Sequence, residues 1–268
     1  MTAAAVAPLK REPNRRGRTL VHQASVILIV LLAWQLAASA ENLGGVPTPL
    51  AVFGALVGQF TSGAVWVPFA STLTSWAGSL GLSIAAGISI GFVLGSSRIA
   101  YRMSVFLLDF LRTIPALVLV PLVVLLLRSG LESKMLLAFL GAVWAVIMQT
   151  IYGARDVDPV ARDVFASFRV RAYDRITRLL LPSALPYIAT GVRLAAAICL
   201  LVTISAEIVI PAGGFGEEIV THQLGGAVPE MYAYILLCGL LGVIVNLVFL
   251  KLESVVLAWH TSHRRGRP

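Results

Sequence analysis

The chain has 268 residues, 58% of them hydrophobic and only 13% charged, where an ordinary soluble domain is roughly 45–50% apolar and about 25% charged. A water-soluble globular protein is excluded, and the length accommodates about six membrane-crossing helices of about 20 residues each, with no large extramembrane domain. The net charge of +8 does not point to nucleic acid, because the places where the basic residues fall report membrane topology.

Six apolar runs qualify as spans, at 24–40, 72–96, 106–127, 135–153, 187–210 and 231–252. The first is longer than a typical signal core, and Ser39-Ala40-Glu41 is a poor cleavage site, so a retained helix is expected. The expected layout is a basic tail over 1–23, a bundle over 24–252 and a second basic tail over 253–268.

Seventeen of the 21 basic residues lie on one face: in the N-terminal tail (Lys10, Arg11, Arg15, Arg16, Arg18), the 97–105 loop, the 154–186 segment and the C-terminal end (Lys251, Arg264, Arg265, Arg267). The opposite face, made of 41–71, 128–134 and 211–230, has only Arg128 and Lys134. Lys and Arg are retained in the cytoplasm, so both termini are expected inside. Backbone in lipid must satisfy its own hydrogen bonds, and the runs are too long and unalternating for barrel strands. An all-α membrane protein follows.

In the second span Gly87, Gly91 and Gly95 recur on one helical face and allow close helix approach. The stretch Gly87-Ile88-Ser89-Ile90-Gly91 also matches a hydrolase nucleophile elbow, but that elbow needs a strand, a turn and a base. Ser89 is in mid-helix, and none of His22, His222, His260 and His263 lies in a span. Cys199 and Cys238 sit inside apolar runs and offer neither a disulfide framework nor paired metal-ligand spacing. The lysines are Lys10, Lys134 and Lys251, and none follows a glycine, so a phosphate-binding loop is absent. A conduit powered from elsewhere is the expectation.

An ion-coupled carrier is the alternative reading, and such carriers place ionisable groups deep in the membrane. Here Asp109, Arg112, Arg193 and Glu207 all sit near span ends. Arg193 and Glu207 are 14 residues apart, about 21 Å of helix, so each can reach an interface. Gln149 is the clearest polar side chain inside an apolar helix, facing either a neighbouring helix or a water-filled path. Pro115 and Pro121 are expected to bend the third span. Glu207 either lines the outer gate or simply snorkels to the interface. The outer face carries Glu41, Glu132, Glu217, Glu218 and Glu230 against Arg128 and Lys134, which is either plain solvated loop charge or a match for a basic docking surface.

The 154–186 segment is too polar for membrane and too long for a simple connector. Val160, Val164, Phe165 and Phe168 share one helical face, with Arg162, Asp163 and Ser167 elsewhere. A helix of this kind either lies on the inner leaflet or inserts into a groove on a cytoplasmic partner, with Phe165 and Phe168 as anchors. Pro182 and Pro186 mark the return to the membrane.

The runs Asp156-Val157-Asp158-Pro159, Ala161 to Arg169 and Leu179-Leu180-Leu181-Pro182-Ser183-Ala184-Leu185-Pro186 through Gly191-Val192-Arg193 resemble the cytoplasmic signature of binding-protein-dependent ABC importer permeases, nitrate/sulfonate/taurine-type branch. Val46-Pro47-Thr48-Pro49, Leu111-Arg112-Thr113-Ile114-Pro115 and Ala206-Glu207 extend the likeness over about residues 45–250.

The resemblance implies a six-span type I ABC importer permease in the bacterial inner membrane. Its coupling helix would dock on ABC ATPase subunits through Val160, Asp163, Val164, Phe165, Phe168, Arg169, Leu181 and Pro182. Pro115, Gln149 and Glu207 would lie on the translocation path. ATP and Mg belong to the ATPase and no cofactor to this chain. The other partners implied are a second permease, an extracytoplasmic solute-binding protein and the lipid bilayer. Solutes in such systems include sulfonates, taurine, nitrate and vitamin or pyrimidine precursors. The family's Glu-Ala-Ala-x-x-x-Gly falls here on Asp163-Val164-Phe165 and Arg169. Arginine does not readily take glycine's backbone conformations and Phe165 is bulkier than alanine, so a differently seated coupling helix, and a partner permease of different sequence, are expected.

Overall fold

The computed structural model describes residues 15–39 and 45–257. Lys10, Arg11, Glu41, His260, His263 and the cluster Arg264, Arg265 and Arg267 lie outside the described residues. The helices are α1 (Arg15–Ser39), α2 (Pro49–Ser62), α3 (Trp66–Ser96), α4 (Arg98–Thr113), α5 (Val120–Leu127), α6 (Leu131–Arg155), α7 (Pro159–Ser167), α8 (Ala172–Arg175), α9 (Leu181–Val209), α10 (Phe215–Leu224) and α11 (Val228–Val256). Among the described residues four helices are long and apolar enough to cross a membrane: α3, α6, the continuous helix Tyr173–Val209 and α11.

The centre is a sandwich of α3, α6 and α9, and its closeness is written in small residues. On α3, Ser75, Ser79 and Ser83 continue the Gly87, Gly91, Gly95 stripe at the same four-residue spacing. A Cβ on those three glycines would lie 2.5, 2.5 and 2.7 Å from side-chain atoms of Val146, Thr150 and Ala154 of α6. The stripe is a packing seam of the kind small residues form in membranes. The serines avoid orphaned hydroxyls by bonding back to the carbonyl four residues earlier, and Ser79 also donates to Met135 O at 3.0 Å. With Ser79 beside Met135 and Gly95 beside Ala154, α3 and α6 run in the same direction. Against α9 the order reverses: Gly153 abuts Ala184 and Gly141 abuts Val202.

Because α3 and α6 are parallel, the chain must return across the bundle between them. The bend expected in the third span over 106–127 is a full break: α4 and the segment Ala116–Leu127 meet at 80°. Pro115 stands at the corner in an extended conformation (φ −62°, ψ 124°). It cannot donate a helical hydrogen bond, and it pushes Ile114 before it into an extended conformation as well.

Two segments of the opposite face, outside the six expected spans, are helical. Within 41–71, α2 starts on a Thr48 side-chain cap with Pro49 at its first position and ends on Gly63 in the left-handed region. Within 211–230, α10 packs beneath α11, where Phe215 lies near Tyr234. Pro182 does not end the helix at the membrane surface. The turn before it, Ile176–Leu180, widens to π geometry, and the helix runs on through Pro182 and Pro186 to Val209.

Candidate functional site

Two groups of residues stand out, at opposite ends of the α3–α6–α9 sandwich. The first is the segment joining α6 to α9. Asp158 caps α7 by accepting from Val160 N at 2.8 Å, with Pro159 at the first helical position. Asp156 accepts from the Tyr187 hydroxyl at 2.6 Å, which ties the end of α6 to the start of α9. The Asp-x-Asp-Pro run is thus a hinge and a cap.

The expected single face of α7 divides in two. Val160, Val164 and Phe168 are 69%, 46% and 78% exposed and form an outward apolar row. Phe165, expected as an anchor for the partner, turns inward and packs with Ala161 and Phe92 against Val157, Leu179 and Leu180. The reason is local: Ala161 and Phe165 are one turn apart, and a buried apolar face was needed to hold so short a helix to the bundle. Asp163, Arg169, Leu181 and Pro182 are exposed.

Arg169 overturns a second expectation. It sits at φ 49°, in the left-handed region that glycine favours. Its N–H bonds to Ala166 O at 3.0 Å and the Val170 N–H to Phe165 O at 3.2 Å, the paired bonds of a Schellman helix end. The backbone keeps the turn that a glycine would make, and the bulk of Phe165 is absorbed inside the chain. Neither departure demands a different seat for the helix, so neither requires a partner permease of different sequence.

The second group lies at the far end, and sequence reading missed its core. Lys134 and Glu207 are 0% and 1% exposed and pair at 3.2 Å. Lys134 Nζ also donates to Ser71 Oγ at 3.0 Å and Gly213 O at 2.7 Å, so all three of its protons have acceptors. Glu207 accepts from the Thr72 hydroxyl at 3.0 Å and the Gly216 N–H at 3.1 Å, and Thr72 Oγ1 accepts from Phe215 N at 2.9 Å. Lys134 was expected as an exposed loop charge and Glu207 as a gate group. Both instead close a buried polar knot joining the ends of α3, α6 and α9 to the loop before α10. A Cβ on Gly214 (φ +119°) would lie 2.2 Å from the Glu207 carboxylate, so glycine is required there.

Of the path candidates, Gln149 is half-buried and lies against α9, where a Cβ on Gly191 would meet its Cβ at 2.8 Å. Pro115 is exposed at the broken helix, and Glu207 is sealed. The structure does not bring these three together. Near the coupling segment Arg193 Nη1 donates to Glu253 Oε2 at 2.9 Å, fastening α9 to α11, so Glu253 belongs to the bundle and not to a tail.

Residues 83–255, more than half the chain, match the family described as binding-protein-dependent transport system inner membrane component. Curated relatives include the nitrate import permease protein NrtB of Synechocystis sp., 26% identical over 88% of this chain and 89% of its own length. The bicarbonate transport system permease protein CmpB of Synechococcus elongatus is 28% identical over 82% and 83%. The putative aliphatic sulfonates transport permease protein SsuC of Escherichia coli is 29% identical over 87% and 90%. Among solved structures, a chain of the inward-facing MetNI methionine ABC transporter superposes with a TM-score of 0.61 at 17% identity, covering 69% of this chain and 93% of that one, which shows a shared fold. The chain belongs to the inner-membrane components of binding-protein-dependent transport systems, multi-pass permease subunits of ABC transporters that leave ATP hydrolysis to a separate subunit.

Proposed function

We propose that this chain is the permease subunit of an ATP-driven importer for a small oxyanion delivered by an extracytoplasmic binding protein. The outward apolar row Val160, Val164 and Phe168 on α7 is the observation that carries the reading. It is an uncovered docking stripe on a helix that the chain itself anchors, suited to a groove on an ATPase subunit. Asp163, Arg169, Leu181 and Pro182 flank it as further contacts. Phe165 acts from within, positioning the helix.

Six crossings are part of this reading, with α1 and the bent α4–α5 pair added to the four long apolar helices. The C-terminal part of α1 lies at the far end, where Trp34 is near Tyr232, and its preceding apolar residues would supply the first crossing. The bent α4–α5 pair supplies the third crossing. Both termini then share the arginine-rich α7 face, which the positive-inside tendency makes cytoplasmic. On the opposite face Lys134 is buried, which leaves Glu132, Glu217, Glu218 and Glu230 against Arg128, an acidic surface for a binding protein. Nitrate, aliphatic sulfonates and bicarbonate, the solutes named for the three relatives, are all small oxyanions, which favours that class over vitamin or pyrimidine precursors. Two permeases, over two ATPases carrying ATP and Mg, complete the assembly, and Pro115 and Gln149 are the residues of this chain nearest to a path role.

The test is uptake of labelled nitrate, bicarbonate and an alkanesulfonate into proteoliposomes holding the chain with its ATPase and binding protein. ATP-dependent uptake of one of them is expected. Uptake on an ion gradient without ATP would refute the proposal in favour of a secondary carrier.

A further inference from the structure

Behind α7, at the end of the bundle opposite the Lys134–Glu207 knot, lies a cavity of about 450 Å³ whose wall includes Gly95, Ser96, Arg98, Arg155, Arg162 and Arg175. The four arginines come from four elements: Arg98 opens α4, Arg155 closes α6, Arg162 is on α7 and Arg175 ends α8. Among the described residues none of the four forms an ion pair, although Arg112, Arg178 and Arg193 each have a carboxylate partner. Arg155 is braced by stacking 4.0 Å over the Tyr101 ring, and the Nε of Arg162 is buried with no hydrogen-bond partner.

A buried guanidinium donor without an acceptor is costly, and four like charges around one cavity repel one another. An anion supplies both missing terms. The planar fork of arginine matches phosphate oxygens bidentately, and the volume suits a small ligand or head group. From these observations we infer that this cavity is a binding site for a phosphate-bearing anion, with the head group of an anionic phospholipid as its occupant.

The lipid source is favoured by what adjoins the arginines. Arg98 is followed on α4 by Ile99, Met103 and Phe106, all strongly exposed apolar side chains, a surface for acyl chains beside the head group. The arginine-rich face is the one read as cytoplasmic, and anionic lipids concentrate in the cytoplasmic leaflet. A head group seated there bridges α7 and α8 to α4 and α6, stiffening the coupling helix from behind while Val160, Val164 and Phe168 remain free. The site stands whichever solute is imported.

The experiment uses the assembled importer in nanodiscs of phosphatidylcholine, with and without phosphatidylglycerol, and reads retained phosphatidylglycerol by native mass spectrometry. Each arginine near an anionic surface is worth about fivefold in affinity, so Arg98→Gln with Arg175→Gln should lower phosphatidylglycerol affinity about 25-fold. Arg175→Gln alone, on the short exposed α8, should lower it about fivefold and serves if the double variant does not assemble. Arg175→Lys should retain most of the binding. A parallel titration with inorganic phosphate distinguishes the sources: phosphate that displaces the lipid only weakly supports the lipid, and phosphate binding with no lipid selectivity keeps the anion site and overturns its lipid occupant. Equal lipid retention in wild type and variants, with no phosphate binding, overturns the site. Loss of the ATPase subunit from the variants in neutral and anionic lipid alike also overturns it, because the arginines would then be meeting that partner.

Discussion

Replacing Lys134 by methionine tests the polar knot. The substitution keeps most of the side-chain volume but leaves the Glu207 carboxylate, 1% exposed, with only the Thr72 hydroxyl and the Gly216 N–H. Ser71 Oγ loses the donor 3.0 Å away and Gly213 O the one at 2.7 Å. Removing one partner of a buried ion pair costs about 3–5 kcal/mol. At about 2–4 °C per kcal/mol for a chain of this size, the lower figure is a fall in Tm of about 6–12 °C. The assay is thermal unfolding of the purified complex in detergent, as a double-mutant cycle with Glu207→Leu. The double variant Lys134→Met/Glu207→Leu should be more stable than the sum of the single losses predicts, since no charge remains buried. Reversing the pair, Lys134→Glu with Glu207→Lys, should not restore stability, because it sets a carboxylate against the Gly213 carbonyl and an ammonium against the Gly216 N–H. A Lys134→Met shift below about 2 °C, or strict additivity in the cycle, would refute the reasoning.

Three further outcomes follow from the geometry. Val164→Asp with Phe168→Asp should abolish co-purification of the ATPase subunit with Tm of the permease unchanged, whereas Phe165→Ala should lower Tm at a cost of about 3 kcal/mol and loosen docking only secondarily. Arg169→Gly should be neutral to stabilising by up to about 1 kcal/mol, since relief of the left-handed strain is offset by the greater freedom of glycine in the unfolded chain, and thermal unfolding with an ATPase assay checks it. Gly91→Leu should prevent assembly or lower Tm sharply, because the first atom added already lies 2.5 Å from the Thr150 side chain and 3.0 Å from Ile147 O, and size-exclusion chromatography of the complex reads the result.

The parts legible in the sequence are those fixed by local chemistry. Apolar length located α3, α6, α9 and α11, and the Asp158-Pro159 start with a short amphipathic period located α7. The inward turn of Phe165 was not legible, because a stripe of Val160, Val164, Phe165 and Phe168 fits one face on a helical wheel. Only the neighbours Phe92, Leu179 and Leu180 decide which edge is buried. The six-member small-residue stripe of α3 was half read: its glycines signal close approach by themselves, whereas Ser75, Ser79 and Ser83 look polar until each hydroxyl is returned to the carbonyl one turn back. The right-angle break at Pro115 depends on α3 and α6 running parallel, which is a property of the bundle.

The Lys134–Glu207 pair spans 73 residues, beyond any local pattern, yet each residue carried a signal by itself. Lys134 lies in the first turns of α6 and Glu207 near the last turn of α9. A helix presents positive charge at its start and negative charge at its end, so each residue opposes the dipole of its own helix. Two charges at the wrong ends of two antiparallel neighbours are consistent only if the helix ends lie side by side. Lys134 then meets the negative end of α9 and Glu207 the positive end of α6, and each dipole favours the charge borne by the other helix. The carbonyl of Gly213 and the N–H of Gly216 complete that arrangement from the adjoining loop, so the glycines after Glu207 and the lysine at the head of α6 act as one structural unit that holds the far end of the bundle closed.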